Sequence, residues 1–253
     1  MPEPIETLEG WYALHDFRSL DWEKWWGLSD SARTERLEVL KEWSRAWQSQ
    51  NDKGTAGYGA YQIVGHKADF LWLYLCPTVD DLAQARSFFR SRLWAGLMRP
   101  AWSYLSVVEL SQYMAKDQDA ASPYLQSRLH PKLPQSPYLS FYPMSKRRQG
   151  EDNWYMLTQA QRREMMKAHG QIGHHHRARV SQIITGSQGL DDWEWGVTLL
   201  ANDPIAFKKI VYEMRFDEST ARFGEFGPFY TGIRLDLEHL DEWFAPRSFD
   251  ARS

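Results

Sequence analysis

Apolar residues recur along this chain at two alternating spacings, every second residue and every third or fourth, and the alternation repeats once. In the second half, Tyr138 to Met144 predicts a strand. A helix follows over Gln159 to Ala168, opened by Thr158 and Gln161 at capping-box spacing and expected to stop at Gly170. Val180 to Thr185 is β-branched and predicts a strand, residues 186–189 a turn, and Trp193 to Leu200 the next strand. Asp203-Pro204 reads as N-cap and first helical position of a second helix, with Ile205, Phe207, Ile210, Val211 and Met214 as its apolar face. A last strand covers about Phe229 to Leu235. The order is β-α-β-β-α-β, the ferredoxin-like unit.

The first half predicts the same order. Tyr12 to Phe17 is a strand, and Ser29 to Trp47 a helix with Leu37, Leu40, Trp43 and Trp47 on one face. Tyr61 to Val64 and Phe70 to Cys76 are paired strands, Asp80 to Leu97 a helix and Tyr104 to Leu110 the closing strand. Shifting the chain by 123 residues lays Asp69-Phe70-Leu71-Trp72 on Asp192-Trp193-Glu194-Trp195 and Arg92 on Arg215, so the repeat shows in residues as well as in pattern. The expected fold is α+β with two ferredoxin-like repeats, of the dimeric α+β barrel type. Its parts are an N-terminal unit over 1–115, a connecting segment over 116–137 with four prolines, and a C-terminal unit over 138–253. Open sheet edges in each unit should be covered by packing the two sheets together.

Composition changes this picture little. With 253 residues, 43% hydrophobic and 25% charged, the chain is an ordinary globular one. A net charge of -3 argues against a nucleic-acid surface, and the basic runs Lys146-Arg147-Arg148 and Arg162-Arg163 have acidic neighbours. One cysteine, Cys76, permits no intrachain disulfide. The start, residues 1–6, lacks the basic and apolar pattern of a secretory signal, and no apolar run approaches the ~20 residues of a membrane helix. A cytoplasmic protein without membrane insertion is expected. The unusual feature is 13 Trp beside 12 Tyr and 12 Phe, which suits an aromatic core, a cofactor pocket or a subunit interface.

Histidine is the first place to look for metal chemistry. His169 lies at the predicted end of a helix, where it serves either as a ligand or as a cation compensating the helix dipole. His174-His175-His176 reads as a solvated loop rather than a metal cluster, because adjacent residues rarely aim at one point and no i,i+4 pair is present. Tyr142-Pro143-Met144-Ser145-Lys146 ends a strand, either as a plain edge or as a redox-active phenol beside a cation that holds a carboxylate. Arg128 and Arg215 are carboxylate anchors or surface residues. No nucleotide-binding glycine loop, nucleophile elbow, zinc-protease motif or cysteine metal motif occurs.

Six runs in order carry a resemblance: YPMSKRR (142–148), GEDNWYML (150–157), MM-x-x-HG (165–170), QIITGS (182–187), LDDWEWGVTL (190–199) and VYEMRFDE (211–218). In these the chain resembles the coproheme decarboxylases of the chlorite dismutase superfamily, and the run 104–111 extends the likeness more loosely into the first half. The resemblance implies that His169 is the proximal iron ligand and that Tyr142 forms a radical that attacks a propionate. It puts Lys146 beside that propionate, with Pro143, Met144 and Ser145 along the porphyrin edge. By the same likeness Arg128 and Arg215 are propionate contacts, and Trp154 takes part in secondary radical chemistry. Gln182 stands opposite the iron, where chlorite dismutases carry an arginine able to hold anionic chlorite; a neutral amide there disfavours that activity. The chain departs from relatives at Gln171 to His176, where they carry a basic and aromatic loop, and at Thr220, where a serine commonly touches a propionate.

The implied substrate, which is also the cofactor, is iron-coproporphyrin III (coproheme). Hydrogen peroxide would drive oxidative loss of two carboxyl groups to give haem b. The resemblance further implies a homopentamer and transient contact with the preceding enzyme of the haem pathway. Rival readings are a haem carrier or sensor, a haem peroxidase or chlorite dismutase-like enzyme, and a protein that binds no porphyrin.

Overall fold

The computed structural model describes residues 2–111 and 121–245. Its first half holds β1 (Thr7–Leu20), α1 (Asp30–Lys53), β2 (Gly57–Ile63), β3 (Phe70–Cys76), α2 (Val79–Ser87) and β4 (Met98–Ser111). Then come α3 (Pro123–Leu129), β5 (Tyr138–Lys146), α4 (Gln159–His176), β6 (Val180–Gly186), β7 (Trp195–Ala201), α5 (Ile205–Met214), α6 (Glu218–Phe223), β8 (Gly224–Phe226) and β9 (Tyr230–Arg234). The β-α-β-β-α-β order therefore occurs twice, as the periodicity predicts. β2 and β6 are also related by the 123-residue shift, Gly57 matching Val180 and Ile63 matching Gly186.

Each half arranges its strands in the same antiparallel order, second, third, first, fourth. Neither half can leave its outer strands open, because unpaired strand edges are costly and sticky. The fourth strand of each half bonds to the second strand of the other: β4 to β6 at Val107↔Gly186 and Val108↔Thr185, and β9 to β2 at Gly232↔Ile63, Ile233↔Gln62 and Arg234↔Tyr61. With β5 paired to β7 over seven positions, the ring β5-β9-β2-β3-β1-β4-β6-β7 closes on itself, and β8 adds to the end of β5. The halves join edge to edge in one barrel rather than by stacking two sheets.

Closure explains why several strands read as unbroken apolar runs. In β3, Leu71, Leu73 and Leu75 enter the barrel interior with Phe17, Tyr104 and Phe141, while Phe70, Trp72, Tyr74 and Cys76 face the helices. Both faces are buried, so period-two alternation of polarity vanishes although alternation of direction remains. Inside, His15 stacks on Phe141 with ring centres 3.9 Å apart and meets Thr198 Oγ1 at 2.8 Å, tying the two halves together. Burial draws the His15 imidazole down to about 3, so it stays neutral there.

Several expectations need correction. The helix after Thr158 does not stop at Gly170 but runs on to His176, so the three-histidine tract is its last turn and not a loop. Gly170 keeps ordinary helical sign in φ, and a glycine ends a helix only where the chain takes a left-handed turn. The helix predicted over Asp80 to Leu97 ends at Ser87 and continues as a 3-10 turn, Phe88–Arg90. Ile205 is exposed at the start of α5, and Ala206 is buried in its place. Pro204, expected as the first helical residue, stands at the N-cap position instead, one residue after the expected cap Asp203, whose Oδ1 accepts from Ile205 N at 2.9 Å. The connecting segment falls partly outside the described residues, and its remainder forms α3, opened by Ser122 as N-cap with Pro123 in the first turn.

Helix α3 lies directly on β1 at Gly10. A Cβ there would overlap the Leu129 backbone carbonyl, so only glycine admits the helix at this distance. Gly10→Ala should cost about 1–3 kcal/mol of stability and lower Tm by several degrees. Gly65→Ala, where a Cβ meets nothing within 4 Å, should not. Equal melting curves for the two variants in calorimetry would refute the close-approach argument.

Candidate active site

Strand β5 divides its residues between two environments. Phe141 points into the barrel, and Tyr142 and Met144 point outward into the cluster formed with Phe207, Ile210 and Val211 of α5. Lys146, two residues further, keeps the same side. Pro143 and Ser145 take the opposite side by the same alternation, and Ser145 Oγ accepts from Glu194 N at 3.3 Å. The run 142–146 thus presents alternate residues, not five in a row, to any one ligand.

Tyr142 is buried and stacked on Phe229, centres 4.4 Å apart, with Phe226 at 5.7 Å. Burial pushes its phenol up to about 12, and the Arg215 cation offsets only part of this. Arg215 caps α5 and lies over the Phe226 ring at 3.7 Å, which brings it to the same aromatic group. Tyr142 is therefore a neutral phenol at ordinary pH.

Lys146 is 7% exposed. Its ammonium donates to Ser219 O at 2.7 Å and lies 4.6 Å from the centre of the Trp154 ring, while its backbone N–H donates to Glu194 Oε2 at 2.7 Å. Burial draws the ammonium down to about 8, against the weaker pull of Asp217 and Glu194. Trp154 is itself buried, edge-on to Phe223 of α6 at 5.4 Å.

His169 sits in mid-helix on α4, fixed by the capping box at Thr158 and Gln161 that starts the helix. Its Nδ1 lies 3.1 Å from Asp217 Oδ2, with Ser219 and Thr220 hydroxyls at 3.5 Å. Asp217 is also the N-cap of α6, accepting from Thr220 N at 3.2 Å. Burial would raise its carboxyl, yet hydrogen bonds from His169, Thr220 and Ser219 win and hold it well below the usual carboxylate range. A carboxylate on Nδ1 sets the tautomer and leaves Nε2 as the free ligand atom, which is how a metal-binding imidazole is prepared. The His169 side chain is 29% exposed, so that nitrogen has access to a ligand.

Helix α6 joins these groups, since Asp217, Ser219 and Thr220 reach His169, Ser219 O holds Lys146, and Phe223 backs Trp154. Gln182 lies on β6, its Nε2 donating at 3.4 Å to Gly173 O on the His169 helix. Arg128 stands apart on α3, its guanidinium 6.0 Å from the Tyr124 ring centre, and among the described residues no hydrogen bond or ion pair links it to the His169 group. Two cavities of about 380 Å³ lie elsewhere, lined by residues such as Trp43, Trp47 and Cys76, and Gln48, Tyr58 and Arg234. The chemistry of the side chains marks this site.

A model of the chlorite dismutase family matches residues 33–235. The chain belongs to the chlorite dismutase family. Coproheme decarboxylases from two strains of Thermus thermophilus are each 51% identical to it over 240 residues, covering 95% of this chain and 96% of theirs. A solved structure of a heme-binding protein from Thermus thermophilus is 50% identical, with TM-score 0.92 over 96% of this chain and 98% of that one. A chlorite dismutase variant from Candidatus Nitrospira defluvii, 20% identical with TM-score 0.74 over 94% of this chain and 96% of that one, shares the fold.

In this family member the structure adds partners that the sequence did not single out. Asp217, Ser219, Phe226 and Phe229 all contact a predicted residue. Asp217 had a readable signal, an N-cap pattern Asp217-Glu218-Ser219-Thr220, but its partner across the fold had none.

The buried ammonium yields a stability prediction. Lys146 titrates near 8 folded and near 10.5 unfolded, so between these values the unfolded chain binds more protons and stability rises with pH. Below about 8 the burial cost is fully present. Lys146→Met should be favoured relative to wild type at neutral pH and lose that advantage toward pH ~10.5 in urea denaturation. A stability difference that is flat with pH would refute the buried-cation assignment.

Proposed function

We propose that this chain is a coproheme decarboxylase, using hydrogen peroxide to convert two propionates of iron-coproporphyrin III to vinyl groups and so form haem b. The observation that carries this reading is the convergence on one face of the C-terminal half of an imidazole held by Asp217, a buried phenol and a buried ammonium. The donor set fits the group. His169 Nε2 would hold the iron, and Lys146 and Arg215 offer cations to propionates. Bound there, the iron supplies the oxidising equivalents that peroxide delivers.

Tyr142 then performs the step that a protein group must perform. It gives up one electron and its phenolic proton, and takes a hydrogen atom from the propionate chain, which restores the phenol. A second electron leaves the chain as the C–C bond to the carboxylate breaks, so vinyl and carbon dioxide form together. Each propionate loses two electrons and each peroxide accepts two, becoming water. With a phenol held near 12, Tyr142 keeps its proton until it is oxidised. Lys146, charged below about 8, orients the carboxylate, and Trp154 beneath it is the next aromatic in reach of an oxidising equivalent.

Further parts of this reading concern the whole chain. Residues 1–115 and 138–253 are two ferredoxin-like units joined by 116–137, with the porphyrin held by the second. Met144 borders the porphyrin on the outward face, Pro143 and Ser145 brace the strand end behind it, and Thr220 orients His169. Arg128 reaches a propionate only from the connecting segment. The active form is a cytoplasmic homopentamer that takes its substrate from the preceding enzyme of the pathway; no described helix is long and apolar enough to cross a membrane. Gln182 offers no charge to chlorite, and a mere carrier has no use for Tyr142 placed as it is.

Titrating the coproheme complex with peroxide and following porphyrin mass should show two successive carboxyl losses through a three-propionate intermediate. Tyr142→Phe should bind coproheme as before and lose decarboxylation by at least about 10²-fold; a porphyrin that wild type merely bleaches would instead favour a peroxidase. Asp217→Asn should weaken retention of the iron porphyrin by about 10–100-fold, as loss of a carboxylate behind a metal-binding imidazole does. Unchanged iron spectra in that variant would remove Asp217 from the ligand system.

A further inference from the structure

The last turn of α4 carries a second group of metal-ligating side chains, outside the site described above. His176 is almost fully buried, and its Nε2 meets Glu213 Oε2 at 2.7 Å. His175 Nδ1 lies 3.7 Å from Glu213 Oε1, on the other side of the same carboxylate. Adjacent helical residues diverge by about 100°, so two neighbouring histidines cannot converge by themselves. Glu213, from α5, stands in the fork between them, and the three ligand atoms all lie within 4.8 Å of one another.

We propose that His175, His176 and Glu213 form a binding site for one divalent transition-metal ion of the zinc type. A tetrahedral ion with bonds of ~2.1 Å holds its ligand atoms ~3.4 Å apart; the three ligand atoms here lie within 4.8 Å of one another, so a small turn of the exposed His175 ring toward the carboxylate closes the set. Two imidazole nitrogens and one carboxylate oxygen are the donor set of an open zinc site, with water or an external ligand in the fourth position. Two nitrogen donors also select against magnesium and calcium, which take oxygen ligands. The His176 ring is held by burial, and the exposed His175 ring is free to turn and close the site.

The position has a consequence for the neighbouring site. Helices α4 and α5 run antiparallel, and two histidine–carboxylate contacts tie α4 to α5 and the turn that follows it: His176 with Glu213, and His169 with Asp217. The two histidines are one pair of helical turns apart, about 10 Å along the axis. A metal ion at the outer contact clamps the end of the helix that positions His169, without touching His169 itself.

The probe is Zn²⁺, titrated calorimetrically into the full-length chain. One equivalent should bind, and His175→Ala and Glu213→Gln should each weaken it by at least about tenfold, the lower end of what loss of a supporting group costs. His174→Ala and His169→Ala should leave it unchanged. Electron paramagnetic resonance of Cu²⁺ at one equivalent gives a readout independent of variants, and coupling to two imidazole nitrogens is expected. The proposal is overturned if wild type takes up no Zn²⁺, if His175→Ala and Glu213→Gln bind as wild type does, if His169→Ala or His174→Ala abolishes binding, or if Cu²⁺ shows one nitrogen or none.

Discussion

Closure of the sheet is the constraint on which the rest of the molecule depends. A four-stranded ferredoxin-like sheet has two open edges, and here each half supplies the strand that the other half lacks, through β4–β6 and β9–β2. Once the ring is closed, each strand has an inside and an outside, and in β3 both are buried. The inside is filled by Phe17, Tyr61, Tyr104, Phe141 and Tyr230, whose packing leaves no room for a ligand of porphyrin size. The outside of β5, β6 and β7, covered by α4, α5 and α6, is where chemistry can be placed. Tyr142 and Phe141 are neighbours in sequence, yet this one-residue difference puts one in the core and the other in the site.

The short helix α6 turns separate residues into one arrangement. Asp217 caps that helix and anchors His169 with the same carboxylate, so the start of α6 and the aim of the imidazole are set together. Two residues on, the Ser219 carbonyl takes the Lys146 ammonium. Removing the cap would therefore disturb the helix, the histidine and the lysine at once, which is why these groups behave as a unit.

Electrostatics at the site run against stability. A lysine at 7% exposure and a phenol stacked among phenyl rings are both kept in their neutral forms more readily than in water. In the proposed reaction the neutral form of Tyr142 is the useful one, since a phenol that keeps its proton is not spent as a phenolate. In the same proposal Lys146 acts in its charged form, which a bound carboxylate would restore by supplying the counter-charge that burial removes. An aromatic floor at Trp154 and a carbonyl at Ser219 hold the ammonium in place until then.

Local pattern determined much of this protein. The two β-α-β-β-α-β units and the capping box at Thr158 are legible in the chain, and Tyr142, Lys146 and His169 stand out in it as candidates, because period, cap and motif are short-range signals. The likeness of six sequence runs to coproheme decarboxylases carried the functional reading further than spacing could. What only the tertiary structure decided are relations between distant residues. Asp217 lies 48 residues from His169 and Glu213 lies 37 from His176, and no periodicity links such positions. The continuation of α4 through Gly170 to His176 belongs with them: its far end is held by α5, and that contact outweighs a glycine cost of about 1 kcal/mol that local propensity charges against the helix.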